Sequence, residues 1–219
     1  MKVIFDFDDV LFNAKGFKDA IFSMLTKRGY EEVSEKYKRR REDTTPFSLY
    51  SFIRTITAET SEANVTELYD EIMSTCSTFI NHEVAALIQH LGKENCYIVT
   101  HGDEVFQVDK IKESIGVDAV REVFVVPDKK RETIAMLCKR HADEPVIFVD
   151  DKIGFVNDIP MSEECQNLKT VLFNENGLAT LEAEIADSYQ DELGYKKTEV
   201  SAIADEAPRR VPGTSFGMH

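Results

Sequence analysis

"VIFDFDDVLF", residues 3–12, sets three acids, Asp6, Asp8 and Asp9, into a run that is otherwise apolar. Burying an unpaired carboxylate is costly, so these acids need a reason other than core building. Val3, Ile4 and Phe5 open a buried strand, read here as residues 2–7. Asp6 and Asp8, two apart on a strand, would project to the same side roughly 6.6 Å from each other. Like charges that close raise each other's pKa unless a cation lies between them. A parallel α/β sheet offers a place for such a group, because its ligands bind outside the carboxyl ends of the strands.

Four further runs read as strands: "NCYIVT" (95–100), "EVFVV" (122–126), "PVIFVD" (145–150) and "KTVLF" (169–173). They are β-branched and aromatic, and most are continuous rather than alternating, as strands covered on both faces are. Helical stretches separate them. "DEVFQVDKIKESIG" (103–116) stops on Gly116, and "KRETIAMLCKRH" (130–141) carries Ile134, Leu137 and Cys138 on one face. This alternation predicts right-handed βαβ units and a doubly wound, Rossmann-like parallel sheet of the α/β class.

The interval between the first two strands breaks the pattern. It holds "GFKDAIFSMLTKRGY", "TTPFSLYSFIRTIT", "NVTELYDEIMSTCSTFI" and "HEVAALIQHL", all helical in period, with Phe17, Ile21, Phe22, Met24 and Leu25 striping the first. It is too long for a crossover, so residues 15–80 are expected to form a helical subdomain on a core of residues 1–14 and 81–194. A last helix is expected on Leu178, Leu181, Ile185 and Tyr189. Residues 195–219 are polar and aperiodic and are expected to be a flexible tail.

The 219 residues carry a formal net charge of −14, which argues against a nucleic-acid binder and against docking on anionic membranes. No apolar run approaches the ~20 residues of a membrane span. Asp6 interrupts the first apolar stretch well short of the ~7–15 residues of a signal h-region, so no secretory signal is expected. Cys76, Cys96, Cys138 and Cys165 form no CxxC pair and read as reduced core thiols of a cytoplasmic protein.

The fourth strand ends as the first does, on acids: Asp150 and Asp151. If the two strands are neighbours, their carboxylates converge, and hard oxygen ligands around a small cavity suit Mg²⁺. The second strand ends on Thr100, followed by His101 and Gly102, and Lys129 and Lys130 open the helix after the third. A metal, a hydroxyl and an ammonium together stabilise a transferring phosphoryl group. One of the carboxylates could then attack phosphorus.

These residues, in this order, resemble the haloacid dehalogenase (HAD) superfamily over about residues 1–175. Its first motif, DxDx[T/V], is met by Asp6, Asp8 and Val10, and its second by Thr100. Its third, a lysine opening a helix, is met by Lys130 or Lys129. Its fourth is met by "VIFVDDKIGFVND", with Asp150, Asp151 and Asp158. The helical insertion resembles the C1 cap of many members.

The resemblance implies a Mg²⁺-dependent phosphoric monoester hydrolase. Asp6 would be the nucleophile. Asp8 would be the acid for the leaving group and then the base for water, its backbone carbonyl also binding Mg²⁺. Thr100 and Lys130 would hold the phosphoryl group, with His101, Gly102 and Lys129 around it. Asp6, Asp8, Asp150 and Asp151 would make up the metal site. Dehalogenases lack the second acid of the first motif, since a halide leaves without a proton, so Asp8 points to phosphate esters. Asp9 stands where many members have Gly.

Of the two lysines Lys130 is preferred, because Ile134 lies one turn on and anchors the helix. Blander readings accompany the others. Asp8 or Asp9 alone could cap a helix, His101 could merely position or face the cap, and Asp158 could be an ordinary loop acid. The basic run Lys36, Lys38, Arg39, Arg40 and Arg41 reads first as a solvated helix face and second as a substrate-reading patch. A receiver-like or catalytically inactive signalling module on a HAD-like fold is the competing function. The expected partner is a small phosphorylated substrate, with the protein a monomer or homodimer.

Overall fold

The computed structural model describes residues 1–41, 46–58, 61–159 and 165–189; the side chains of Arg41, Asp158 and Tyr189 and the expected tail at 195–219 lie outside the described residues. The chain begins with β1 (Lys2–Phe5). Before the next strand come α1 (Ala14–Lys27), α2 (Val33–Arg41), α3 (Leu49–Thr57), α4 (Glu62–Met73), a 3₁₀ turn at Cys76–Phe79 and α5 (His82–Leu91). The remainder alternates: β2 (Cys96–His101), α6 (Glu104–Ser114), β3 (Glu122–Val126), α7 (Arg131–Arg140), β4 (Val146–Asp150), α8 (Ile153–Asp158), β5 (Leu168–Leu172) and α9 (Gly177–Tyr189).

The sheet is parallel throughout, in the order β3-β2-β1-β4-β5. β1 lies at its centre, in register Phe5↔Ile98 with β2 and Phe5↔Val149 with β4. Alternate residues of the three inner strands enter opposite cores. Val3, Phe5, Ile98, Ile147 and Val149 face one side, where they pack with helices of the long insertion and with Leu181 and Ile185 of α9. Ile4, Tyr97, Val99, Val146 and Phe148 face the other, against Ile134, Leu137 and Cys138 of α7. Each large apolar side chain buried in this way contributes about 1.5–3 kcal/mol, which explains why these strands read as unbroken hydrophobic runs. The outer strands differ. β3 is half-buried, and β5 exposes Lys169 and Thr170, a charged edge that discourages further pairing.

Helix starts follow local chemistry. Asn13 Oδ1 accepts from the amide of Gly16 at α1, Asn81 Oδ1 from Glu83 and Val84 at α5, and Asp103 Oδ1 from Phe106 at α6. In α1 the buried stripe is Phe17, Ile21 and Leu25, one residue per turn, with Phe22 and Met24 only half-buried. All four cysteines are buried thiols, and burial above all pushes Cys76, Cys96 and Cys138 up to about 12. Among the described residues no helix is long and apolar enough to cross a membrane.

The structure corrects one boundary that matters for function. β1 ends at Phe5, not at residue 7. Asp6 still donates its amide to the Val149 carbonyl at 2.8 Å, but the chain then folds into a tight turn in which the amides of Leu11 and Phe12 bond the Phe7 carbonyl. Asp9 turns this corner at a φ of 62°, a left-handed conformation that Asp tolerates better than most residues. Its carboxylate also accepts from the amide of Ala14 at the start of α1.

Candidate active site

Asp6 leaves the end of β1 fully buried, and Asp150 ends β4 beside it, equally buried. Lys130, the residue before the first turn of α7, reaches between them. Its Nζ lies 2.8 Å from Asp6 Oδ1 and 2.6 Å from Asp150 Oδ2. The ammonium also lies 4.8 Å from the ring centre of Phe155. Lys129 is exposed, so of the two candidate lysines only Lys130 enters the cluster.

Carboxylate oxygens of Asp6, Asp150 and Asp151 come within 4.8 Å of one another. Burial first of all lifts the Asp6 carboxyl; Lys130 pulls it down, Asp150 pushes it up again, and it settles at about 7. Burial likewise raises Asp151, opposed by Lys152 and aided by Asp150.

Buried polar atoms normally find partners. Among the described residues Thr100 Oγ1, Gln107 Oε1, Asp151 Oδ1 and Ser188 Oγ are buried without a hydrogen-bond partner. Thr100 sits near the carboxyl end of β2, next to β1, and Asp151 belongs to the carboxylate cluster. Two of these unmet groups therefore border the same carboxyl edge of the sheet.

Asp8 does not join the cluster. The expectation that it would point with Asp6 rested on a strand continuing to residue 7, and the turn after Phe5 removes that premise. Its carboxylate instead accepts from Lys110 Nζ at 2.5 Å and from Gln107 Nε2 at 2.9 Å. Burial raises the Asp8 carboxyl, but Lys110 and Gln107 outweigh it and hold the group below its ordinary range. Lys110 is itself buried, with its ammonium about 5 Å from the ring centres of Phe7, Phe12 and Phe106.

His101 and Gly102, expected around the phosphoryl group, follow Thr100 at the end of β2. His101 is exposed and its Nε2 meets the Pro127 carbonyl at 3.1 Å, and the Gly102 amide is used by the Val126 carbonyl. Both line a cavity that Asp8 also borders. Gly102 is required there: its φ is 153°, and a Cβ would stand 2.9 Å from Gln107 Nε2.

Lys110 and Gln107 were missed in the sequence because they look like ordinary polar residues of an amphipathic helix. Gln107, Lys110 and Ile111 stand at i, i+3 and i+4, so they share one face of the helix, and that face is the buried one.

No family model and no curated protein matches this sequence. Solved structures do resemble it. A haloacid dehalogenase-like hydrolase from Burkholderia xenovorans aligns with a TM-score of 0.58 at 16% identity, over 81% of this chain and 89% of that one. The chain has the haloacid dehalogenase fold. A hydrolase from Streptococcus pneumoniae aligns at TM-score 0.51 and 14% identity, over 84% and 97% of the two chains. A 2-haloacid dehalogenase from Pseudomonas syringae aligns at 0.50 and 17%, over 81% and 88%. At such identities the HAD likeness concerns the fold, and chemistry has to be argued from the residues of this chain.

Proposed function

We propose that the protein is a Mg²⁺-dependent phosphatase that hydrolyses small phosphate monoesters through an aspartyl-phosphate on Asp6, with residues 15–80 acting as its cap. One arrangement carries the reading: three carboxylates, Asp6, Asp150 and Asp151, converge where the buried Lys130 ammonium pairs with the first two and the Lys152 ammonium lies 3.6 Å from the third, two cations against three acids. The charge left over is negative, and hard oxygen donors suit Mg²⁺. Asp151 Oδ1, buried and without a hydrogen bond, is the kind of atom such an ion takes up. Asp6, Asp150 and Asp151 would hold the ion, which when bound would neutralise phosphoryl charge and favour the ionised form of Asp6.

In this reading an Asp6 oxygen attacks phosphorus and the bond from phosphorus to the ester oxygen breaks. Lys130 and the unmet Thr100 hydroxyl face the charge on the phosphoryl oxygens. The leaving oxygen needs a proton. Asp8, held ionised, has none of its own, but the Asp8–Lys110 pair carries one across its 2.5 Å contact. Water then attacks the phospho-aspartate, frees Asp6 and inorganic phosphate, and returns a proton to the pair. A departing halide has no use for such a pair, which favours phosphate over carbon–halogen cleavage.

The test is phosphate release from p-nitrophenyl phosphate with Mg²⁺. Turnover that is abolished by EDTA and by Asp6→Asn, with a phosphoryl label trapped on Asp6, is the expected result. A single labelling event without turnover would point to a receiver-like module. Release of chloride from 2-chloropropionate without any phosphatase activity would replace the reading altogether.

A further inference from the structure

A cavity of about 150 Å³ opens beside Asp8, between α6 and the inserted helices. Six rings line it: Phe17 and Phe22 from α1, Tyr37 from α2, Phe47 and Phe52 from the α3 segment, and Phe106 from α6. They meet edge to face. Phe22 and Tyr37 are 5.1 Å apart at 67°, Tyr37 and Phe47 5.0 Å at 60°, and Phe47 and Phe106 5.9 Å at 67°. A wall of this kind offers both ring faces and ring edges to a further aromatic guest. An apolar cavity of this size accepts a guest about as large as benzene.

The charges in the lining cancel. Asp8 is paired with Lys110, and Asp103 spends its carboxylate on the amide of Phe106. Lys18 stands 6.0 Å over the ring of Tyr37. The remaining cation and anion, Lys18 and Asp103, are equal in number, so the cavity shows no net preference for a charged tail. Its lining adjoins the candidate site along two short segments of chain. Asp8 lies two residues from Asp6, and Gly102 two residues from Thr100.

We propose that this cavity seats a single neutral aromatic ring on the alcohol side of the ester, making arylalkyl phosphates the preferred substrate class. The proposal rests on the phosphatase reading for its phosphate end, and on the ring-lined cavity alone for its tail.

Two measurements separate these parts. The first is kcat/KM for benzyl phosphate against ethyl phosphate and glycerol phosphate. The wild-type protein should favour benzyl phosphate by about 10- to 100-fold, the discrimination that burying one ring supplies. Phe22→Ala and Phe47→Ala, at half-buried positions, should each lower that ratio by at least about 5-fold.

The second uses no phosphate: ligand-observed NMR of benzyl alcohol and ethanol with the wild-type protein. Saturation transfer to benzyl alcohol alone, reduced in Phe47→Ala, is expected even if no ester is turned over. Phosphatase activity with equal rates on all three esters, or a preference for glycerol phosphate, would overturn the proposal and leave the phosphatase reading standing. Absence of any transfer to benzyl alcohol would overturn it independently of catalysis.

Discussion

Lys129 and Lys130 are adjacent, chemically identical and opposite in fate. One is exposed, and the other is buried between two carboxylates. Their separation was legible because Ile134 must face the core, which turns the residue one helical turn earlier toward the same side. Asp8 was not legible in the same way. Its partner Lys110 comes from a distant segment, and no local spacing announces such a pair. The cluster around Asp6 yields a prediction in the metal-free protein. An unfolded Asp ionises near pH ~4, whereas folded Asp6 holds its proton to about 7. Folded-state stability tied to Asp6 is therefore fully present at low pH and is lost as pH rises through that window. Asp6→Asn cannot titrate, and Asp150 still pairs with Lys130 in it. In EDTA, the stability of Asp6→Asn relative to wild type should rise between pH 5 and pH 7.5, measured by urea denaturation. A difference that stays flat or falls over that range would contradict the buried, cation-seeking character assigned to Asp6.

At the level of elements, the strands were the most readable part of the molecule, since burial on both faces leaves little room for polar residues. Their ends were less so. β1 stops two residues early because the turn through Asp9 needs the Phe7 carbonyl for itself. The helix α6 inverts the usual rule. Val105 is 68% exposed, whereas Lys110 is 3% exposed on the face shared with Ile111. Hydrophobic periodicity is blind to a buried ammonium whose partner arrives from another element. This face should behave as an energetic unit with the turn after β1. Asp8→Asn leaves Lys110 charged among three rings, and Lys110→Met leaves Asp8 with Gln107 alone. Each should cost about 2–4 kcal/mol in unfolding free energy. The double variant should cost less than the sum by at least ~1 kcal/mol, because neither charge is then stranded. Additivity within ~0.3 kcal/mol, in chemical denaturation of all four proteins, would mean that the pair is not coupled.

For the whole molecule, the order β3-β2-β1-β4-β5 explains why residues so far apart in the chain act at one place. With β1 central, the carboxyl ends of β2 and β4 flank it, so Thr100 and Asp150 come to Asp6 from either side while α7 delivers Lys130. Clustered acids at the ends of the first and fourth strands made that neighbourhood readable before any coordinates. The ring-lined cavity was not, because it needs the inserted helices to be placed against α6. The same placement predicts how the molecule responds to its ion. Mg²⁺ that binds only the folded chain adds about 2.7 kcal/mol when present at ~100 times its dissociation constant. For a chain of this size that corresponds to a rise in Tm of about 5–10 °C. Asp151→Asn should abolish most of this rise while leaving the metal-free Tm unchanged or higher, because Asp151 Oδ1 makes no hydrogen bond to lose, its 3.6 Å pair with the half-exposed Lys152 is worth little, and burial and Asp150 raise its carboxyl against Lys152. Differential scanning calorimetry of both proteins, with Mg²⁺ and with EDTA, decides the matter. An equal Mg²⁺ shift in wild type and Asp151→Asn would move the ion away from the carboxyl edge of the sheet, and with it the charge that the proposed chemistry requires.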